Sequence, residues 1–444
     1  MKINKIRIFE DALNQFELLK ISDKPKKNLR LLDKLRKERL KGINFDSYDV
    51  VFIQHHLGPF VARICSMYED GLNPERSWFI DIPYSTHSKV IEFLQAEGCP
   101  KKNFLSRFNN PLANYSDAQK YRVQEMMELL MNRDTSRQLL VVDDGAYFLR
   151  YLNDLKNYSP EKLKSFKNVR VVEQTTRGHR YIFNLALELI KLLNISVVTI
   201  ARCRTKVEFE GPFIGAAVSR AVKQRLEKMP LASMKKIAII GFGPVGKATL
   251  KEILRKNISA SIDIIDIDSE ARELAASFHS KCRGLTQLDE RVQYELVVGC
   301  TGYNSFQLNQ RRLLADQAIL ASGSSAAIEF NRAGFIDLAE KYPDDEIEIL
   351  EKEETIQKGI HADIKLQQEG GKIFSFLNAG FPVNFDGKLE CLPEFIIQAT
   401  HGLLYYAGVQ AIQQQYPGVN TVEPEIDQWL LENAIKELQQ HVNI

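Results

Sequence analysis

Residues 236–250 read Lys236-Ile-Ala-Ile-Ile-Gly241-Phe-Gly243-Pro-Val-Gly246-Lys247-Ala-Thr-Leu250, an apolar strand pattern that runs into GxGxxG and then into helical spacing. The three glycines have separate jobs. Gly241 permits the tight turn, Gly243 lets backbone approach a pyrophosphate, and Gly246 lets helix and strand pack closely. Pro244 and Val245 open the helix, whose N-terminus offers free N–H groups and a positive dipole end to phosphates. The next apolar run, Ser261 to Ile265, ends at Asp266, whose carboxylate can accept hydrogen bonds from both hydroxyls of an adenosine ribose. An acid at that position disfavours a 2′-phosphate, so NAD is the cofactor expected. Gly241 to Lys247 also satisfies the first seven positions of a triphosphate-binding loop, but the eighth residue is Ala248, which has no hydroxyl for magnesium.

Working outward, the strand pattern repeats on both sides of this loop. YDVVFIQ, SWFIDI, QLLVVDDG, NVRVVEQ and ISVVTIA precede it; ASIDIID, YELVVGCTG, QAILASG and KIFSFLNAG follow it. Continuous β-branched runs separated by helix-length segments imply buried parallel sheets, hence an α/β protein of two doubly wound domains, the second a Rossmann unit. The organisation expected is a basic helical extension over 1–48, a first α/β domain over 49–211, the dinucleotide domain over 212–379, and a C-terminal helix within 418–444. Thr301 and Gly302, at the end of YELVV, fall where the strand ends of such a sheet face the cofactor.

Length and composition agree. The chain has 444 residues, 44% of them apolar and 26% charged, with a net charge of +2. Those figures exclude a disordered polyelectrolyte and suit two or three globular domains. The stretch from 20 to 41 holds ten Lys/Arg against Asp23, Asp33 and Glu38. Leu29, Leu31, Leu32, Leu35 and Leu40 make it an amphipathic helix with a solvated face, and no aromatic residue is interleaved to stack on bases, so a nucleic-acid partner is not expected. The start, MKINKIRIFEDALNQF, lacks an apolar block, and no apolar run approaches a membrane span, so a cytoplasmic protein with no membrane partner is expected. Six scattered cysteines form no CxxC pair, which indicates neither a zinc site nor a disulfide framework.

The order of motifs VVDDGAYFLRYL (141–152), VVEQTTRGHRYIF (171–183), TKVEFEG (205–211), IIGFGPVGK (239–247), VVGCTG (297–302) and NAGFPVNFDGKLE (378–390) resembles that of S-adenosyl-L-homocysteine hydrolase. The resemblance implies a substrate domain completed by a return segment near 380–417, an inserted NAD domain, and a homo-oligomer. It also implies transient oxidation of a substrate hydroxyl by bound NAD, on a small molecule such as a nucleoside thioether. By position, Asp144 matches the acid near the ribose, Thr175 and Thr176 match nicotinamide-contacting threonines, and Lys206 matches the lysine acting on the 3′-hydroxyl. Glu210 stands where the partner of that lysine is expected, and His55 or His56 where the family has a catalytic histidine.

The chain departs from the family where the substrate is gripped. Gln174 replaces a carboxylate, Arg177 replaces the third threonine, and Ala201 and Gly211 stand where asparagines are expected. Gly323-Ser324-Ser325-Ala326 replaces GHFD, Cys391 to Phe395 replaces GHPSF, and the Lys/Tyr tail is absent. Three readings stay open: a relative of the hydrolase acting on another nucleoside-like or small hydroxyl compound, an NAD-dependent dehydrogenase, and a non-catalytic NAD-binding protein.

Overall fold

Strands that are apolar at consecutive positions can be buried only in a sheet covered by helices on both faces. The computed structural model describes residues 9, 11–13, 15–16, 22–105, 115–134, 136–226, 234–255, 259–324, 328–341, 347–350, 361, 363–367, 371–414 and 416–441. The chain divides into a first unit of 1–107, 116–210 and 388–444, and a second of 108–115 and 211–387.

The sheet of the first unit contains β1 (Tyr48–His56), β2 (Ser77–Thr86), β3 (Phe104–Leu105), β4 (Gln138–Asp143), β5 (Arg170–Glu173), β6 (Ser196–Thr199) and β15 (Gly418–Thr421). Their order is β15-β6-β5-β4-β1-β2-β3, and every neighbouring pair is parallel. The chain therefore builds outward from β1 to β3, crosses back, and builds the other way from β4. That reversal leaves a crevice beyond the carboxyl ends of β1 and β4, the place where open α/β sheets bind ligands. Val50, Val51, Phe52 and Ile53 of β1 are fully buried, as this central position demands.

Two segments expected to lie outside the domains are integral to this unit. Leu31, Leu32 and Leu35 of the helix Arg30–Arg39 are buried, and burial of a leucine contributes about 1.5–3 kcal/mol. The helix is pinned further by the Leu31 N–H, which donates to Gln398 Oε1 at 2.9 Å. Its cations and those just before it meet carboxylates of the same unit: Lys26 with Glu394, Lys27 with Glu97, Arg30 with Glu437, and Arg36 with Glu69 and Asp70. The helix Pro424–His441 buries Ile426, Leu430, Leu431, Ile435 and Leu438. It approaches the helix Glu394–Gln413 so closely that a Cβ on Gly402 would lie 2.9 Å from Leu430 Cδ2.

The second unit repeats the plan with β7 (Lys236–Ile240), β8 (Ser261–Ile265), β9 (Cys282–Leu285), β10 (Tyr294–Gly299), β11 (Leu314–Ser322), β12 (Ile347–Leu350), β13 (Asp363–Gln367) and β14 (Ile373–Phe376). The order is β12-β13-β14-β11-β10-β7-β8-β9. Pairing is parallel from β14 to β9, with β13 and β12 added antiparallel at one edge. Here the reversal lies between β7 and β10. The core on one face joins Ile237, Ile239, Leu250, Ile262, Ile264, Leu296 and Val298. Among the described residues no helix is long and apolar enough to cross a membrane.

Candidate functional site

In the second unit, the reversal between β7 and β10 carries the glycine loop. Gly241 has φ +96°, and a Cβ there would lie 2.8 Å from the Cys300 backbone, so no other residue fits. A Cβ on Gly246 would lie 2.0 Å from the Gly241 carbonyl oxygen, which fixes the close packing of the helix Pro244–Arg255 on its strand. Around Gly243, by contrast, a Cβ would meet nothing within 4 Å, and Gly243 and Pro244 are exposed. Open space thus lies before a helix N-terminus in which Val245 occupies the first turn. Asp266, at the end of β8, accepts the Phe242 N–H at 2.7 Å through Oδ2 and the Asp268 N–H at 3.0 Å through Oδ1. The carboxylate therefore holds the loop in shape and keeps one lone pair per oxygen for a ribose hydroxyl.

Thr301 and Gly302 occupy the neighbouring strand end, but their backbone donors are already engaged. Glu329 Oε1 accepts the Thr301 N–H at 2.6 Å and the Gly302 N–H at 2.5 Å, while Glu329 Oε2 accepts the Thr301 hydroxyl at 2.9 Å. What these two residues can present to a ligand is shape rather than N–H donors. Glu329, buried and with its carboxyl pushed up by that burial, is a loop organiser not found from the motif. Ser325 and Ala326 lie outside the described residues.

In the first unit, the reversal lies between β1 and β4. β1 ends in His55 and His56, and β4 leads into Asp143 and Asp144. His55 Nε2 lies 3.2 Å from Asp144 Oδ2, and its Nδ1 contacts Ser85 Oγ. Ser85 donates its own proton to the Ile82 carbonyl at 3.0 Å, so it accepts from His55 Nδ1–H. His55 Nε2 is thereby left to hold or pass a proton opposite Asp144. His56 is stacked on Phe60 at 4.9 Å, and burial pushes its imidazole down to about 4.

Lys206 and Glu210 lie on the π-helical turn Thr205–Glu210, a helix variant that recurs at functional sites. Lys206 Nζ donates to Glu210 Oε2 at 2.8 Å, and Thr400 Oγ1 donates to the same oxygen at 2.9 Å. Glu208, the other acid of the segment, pairs instead with Arg204. The helix Glu394–Gln413 thus supports the pair through Thr400 and brings His401 beside it. Burial, with Arg63, Lys206 and His55 adding to it, pushes the His401 imidazole well below its usual range. The charges of Lys206 and His55 both bear on the His401 imidazole.

Thr175 and Thr176 start the helix Thr176–Tyr181. The Thr175 hydroxyl donates to Glu173 Oε1 at 2.7 Å and accepts the Gly178 N–H at 2.9 Å, so it serves as a helix cap. Glu173 also accepts from the backbone of Gly145, Ala146 and Thr175, tying the Asp143-Asp144-Gly145 turn to β5. Asp143 accepts the Phe148 N–H at 2.8 Å through Oδ2, while its Oδ1 has no partner. Burial, with Asp144 adding to it, pushes the Asp143 carboxyl up to about 7, and burial beside Asp143 raises that of Glu173 as well.

An acid raised in this way binds more protons folded than unfolded between pH about 4 and about 7. Stability therefore falls as pH rises through that window. Asp143→Asn should remove part of the fall, leaving the protein about 1–3 kcal/mol more stable than wild type above the window. Melting temperature against pH reads this directly, and an unchanged slope would assign the titration elsewhere.

Sequence reasoning named Lys206, Glu210, Asp144 and His55, which the first unit holds as two pairs, but not Ser85, Arg63, Thr400 or His401. No family model matches the chain. It is similar to uncharacterized proteins from two strains of Mycobacterium tuberculosis, at 25% identity over 359 residues, covering 78% of this chain. The match spans 61% of the length of those relatives. Among solved structures, the L-tryptophan dehydrogenase of Nostoc punctiforme aligns over 66% of this chain and 74% of its own, at 14% identity and a TM-score of 0.29.

Proposed function

We propose that the chain is an NAD-binding enzyme, similar to S-adenosyl-L-homocysteine hydrolase, that carries out redox chemistry on a hydroxyl of a nucleoside-like or other small substrate. The observation that carries this reading is the content of the two crevices. One holds a glycine loop with open space at Gly243 and an acid, Asp266, bonded to the loop. The other holds two pairs able to move protons, Lys206–Glu210 and His55–Asp144. NAD, when bound, supplies a hydride acceptor. Gly241, Gly243 and Gly246 with the start of the 244–255 helix would hold its pyrophosphate, and Asp266 its adenosine ribose.

The first unit's own residues then supply the rest. Lys206 Nζ can take the proton of a substrate hydroxyl as it is oxidised once it has passed one of its own to Glu210 Oε2, to which it already donates at 2.8 Å. Glu210 is fixed in turn by Thr400. His55 Nε2 can exchange a second proton with a leaving or entering group, Asp144 orienting the ring and balancing its charge. The buried surroundings of both pairs keep water from competing for these protons.

The test is to denature purified protein and assay released NAD and NADH, then incubate native protein with S-adenosylhomocysteine while following free thiol and reduced nicotinamide. Bound NAD with thiol release supports the hydrolase reaction. Bound NAD that accumulates as NADH with another hydroxyl compound supports a dehydrogenase. No NAD, with none taken up, overturns the proposal. Asp266→Ala should weaken NAD binding roughly tenfold to hundredfold, the equivalent of one charge-assisted hydrogen bond. Unchanged affinity by calorimetry would remove the ribose assignment.

A further inference from the structure

Arg63 lies on the helix Gly58–Glu69 that leaves β1, and it is 1% exposed. Its guanidinium stands over the Phe60 ring at 5.2 Å and the Phe52 ring at 6.0 Å. Nη2 donates to Gln54 Oε1 at 2.9 Å, while Nε and Nη1 have no partner among the described residues. No carboxylate pairs with Arg63 among the described residues. Burial alone pulls its guanidinium down to about 9.

The neighbouring polar atoms are unsatisfied too. Gln54 Nε2, both ring nitrogens of His56 and Nδ1 of His401 are buried without partners among the described residues, and Arg63 acts electrostatically on both histidines. Buried polar groups are almost always hydrogen-bonded, so such a concentration of empty ones requires a cause. The Arg63 and Gln54 atoms are donors, and each neutral imidazole offers one N–H. Nearby Asp81 is paired with Arg122, its Oδ2 buried without a partner among the described residues, and Glu210 is paired with Lys206. A set of donors around one uncompensated cation is complementary to an oxyanion. Water could fill the hydrogen bonds but not balance the charge.

We propose that Arg63, with Gln54, His56 and His401, binds a compact oxyanion, a carboxylate or phosphate group carried by the substrate, beside the Lys206–Glu210 and His55–Asp144 pairs. The inference rests on the reading of this crevice as the substrate site. It narrows the substrate class to hydroxyl compounds that bear such a group.

The experiment is calorimetry and thermal melting of the full chain in sodium phosphate, sodium acetate and, at matched ionic strength, sodium chloride. Phosphate or acetate should stabilise the protein beyond chloride, and the stronger of the two names the group. Arg63→Met exchanges a buried lone cation for an apolar chain of similar length, a change that is often neutral or stabilising. That variant should fold and bind the anion roughly tenfold to hundredfold more weakly. If Arg63→Met fails to fold, Arg63→Lys takes its place. It keeps the charge but loses the fork, and should bind with intermediate affinity. Equal melting in all three salts, or an anion response that survives either substitution unchanged, would overturn the proposal. Bound NAD is assayed on the same samples. Anion binding without NAD would undo the redox reading alone, and NAD without anion binding would undo this inference alone.

Discussion

Lys206→Met is expected to lower the rate of substrate-dependent reduction of bound NAD by roughly 10²–10⁴-fold, the range in which a positioned general base contributes. Methionine keeps most of the stem and its packing while removing the ammonium that sits 2.8 Å from Glu210 Oε2. Glu210 retains the Thr400 hydroxyl, so it is not stranded in the crevice. The pair could also be a structural tie between the 205–210 turn and its surroundings, and the two roles differ in what they move. A structural tie would lower the melting temperature and leave the rate of cofactor reduction in the folded protein unchanged. A proton acceptor would remove the chemistry in the folded protein and leave the amount of NAD recovered on denaturation unchanged, whatever the lost countercharge of Glu210 does to melting. Glu210→Gln should lie between the two, because the amide still accepts a hydrogen bond from Lys206 but no longer balances its charge.

The central strands of both units were legible because their burial on both faces writes an unbroken apolar run into the sequence. YDVVFIQ became β1, QLLVVD became β4, KIAII became β7 and YELVVG became β10. The strands that escaped notice are short, and all but Asp363–Gln367 lie at sheet edges: Phe104–Leu105, Cys282–Leu285, Ile347–Leu350, Asp363–Gln367 and Gly418–Thr421. An edge strand is covered on fewer sides and tolerates polar residues, so Gly418-Val-Asn-Thr421 carries no strand signal at all. The same physics separates the site residues that could be read from those that could not. Gly241, Gly243, Gly246 and Asp266 act through local backbone geometry, which a motif records. Thr400 and His401 reach the crevice from nearly two hundred residues beyond Lys206, on a helix that reads as ordinary core. Arg63 did leave a trace, being the lone cation within the apolar stretch GPFVARICSM. A single charge on a helix buried on most sides has to meet something, and that is a question the sequence raises without answering.

Gly246→Ala tests the second unit with a comparably large effect. The added methyl carbon would lie 2.0 Å from the Gly241 carbonyl oxygen and 3.6 Å from Cys300 Cβ. Backbone, unlike the far end of a long side chain, cannot swing aside. Either the 244–255 helix lifts away from β7, or the turn at Gly241, already held at φ +96° against the Cys300 backbone, opens. Both distort the space before the helix N-terminus, and overpacking of this kind costs about 3 kcal/mol or more. The expected result is loss of measurable NAD binding together with a marked fall in melting temperature. Gly243→Ala is the matching control. Its Cβ would meet nothing within 4 Å, so stability should stay within about 1 kcal/mol of wild type, Gly243 losing only its backbone freedom. If the space beside Gly243 belongs to a pyrophosphate, that same methyl group should still weaken NAD binding. A Gly243→Ala protein that melts and binds NAD as wild type does would show that the open space is only solvent. A Gly246→Ala protein that does the same would show that helix and strand are not packed as closely as the carbonyl contact requires.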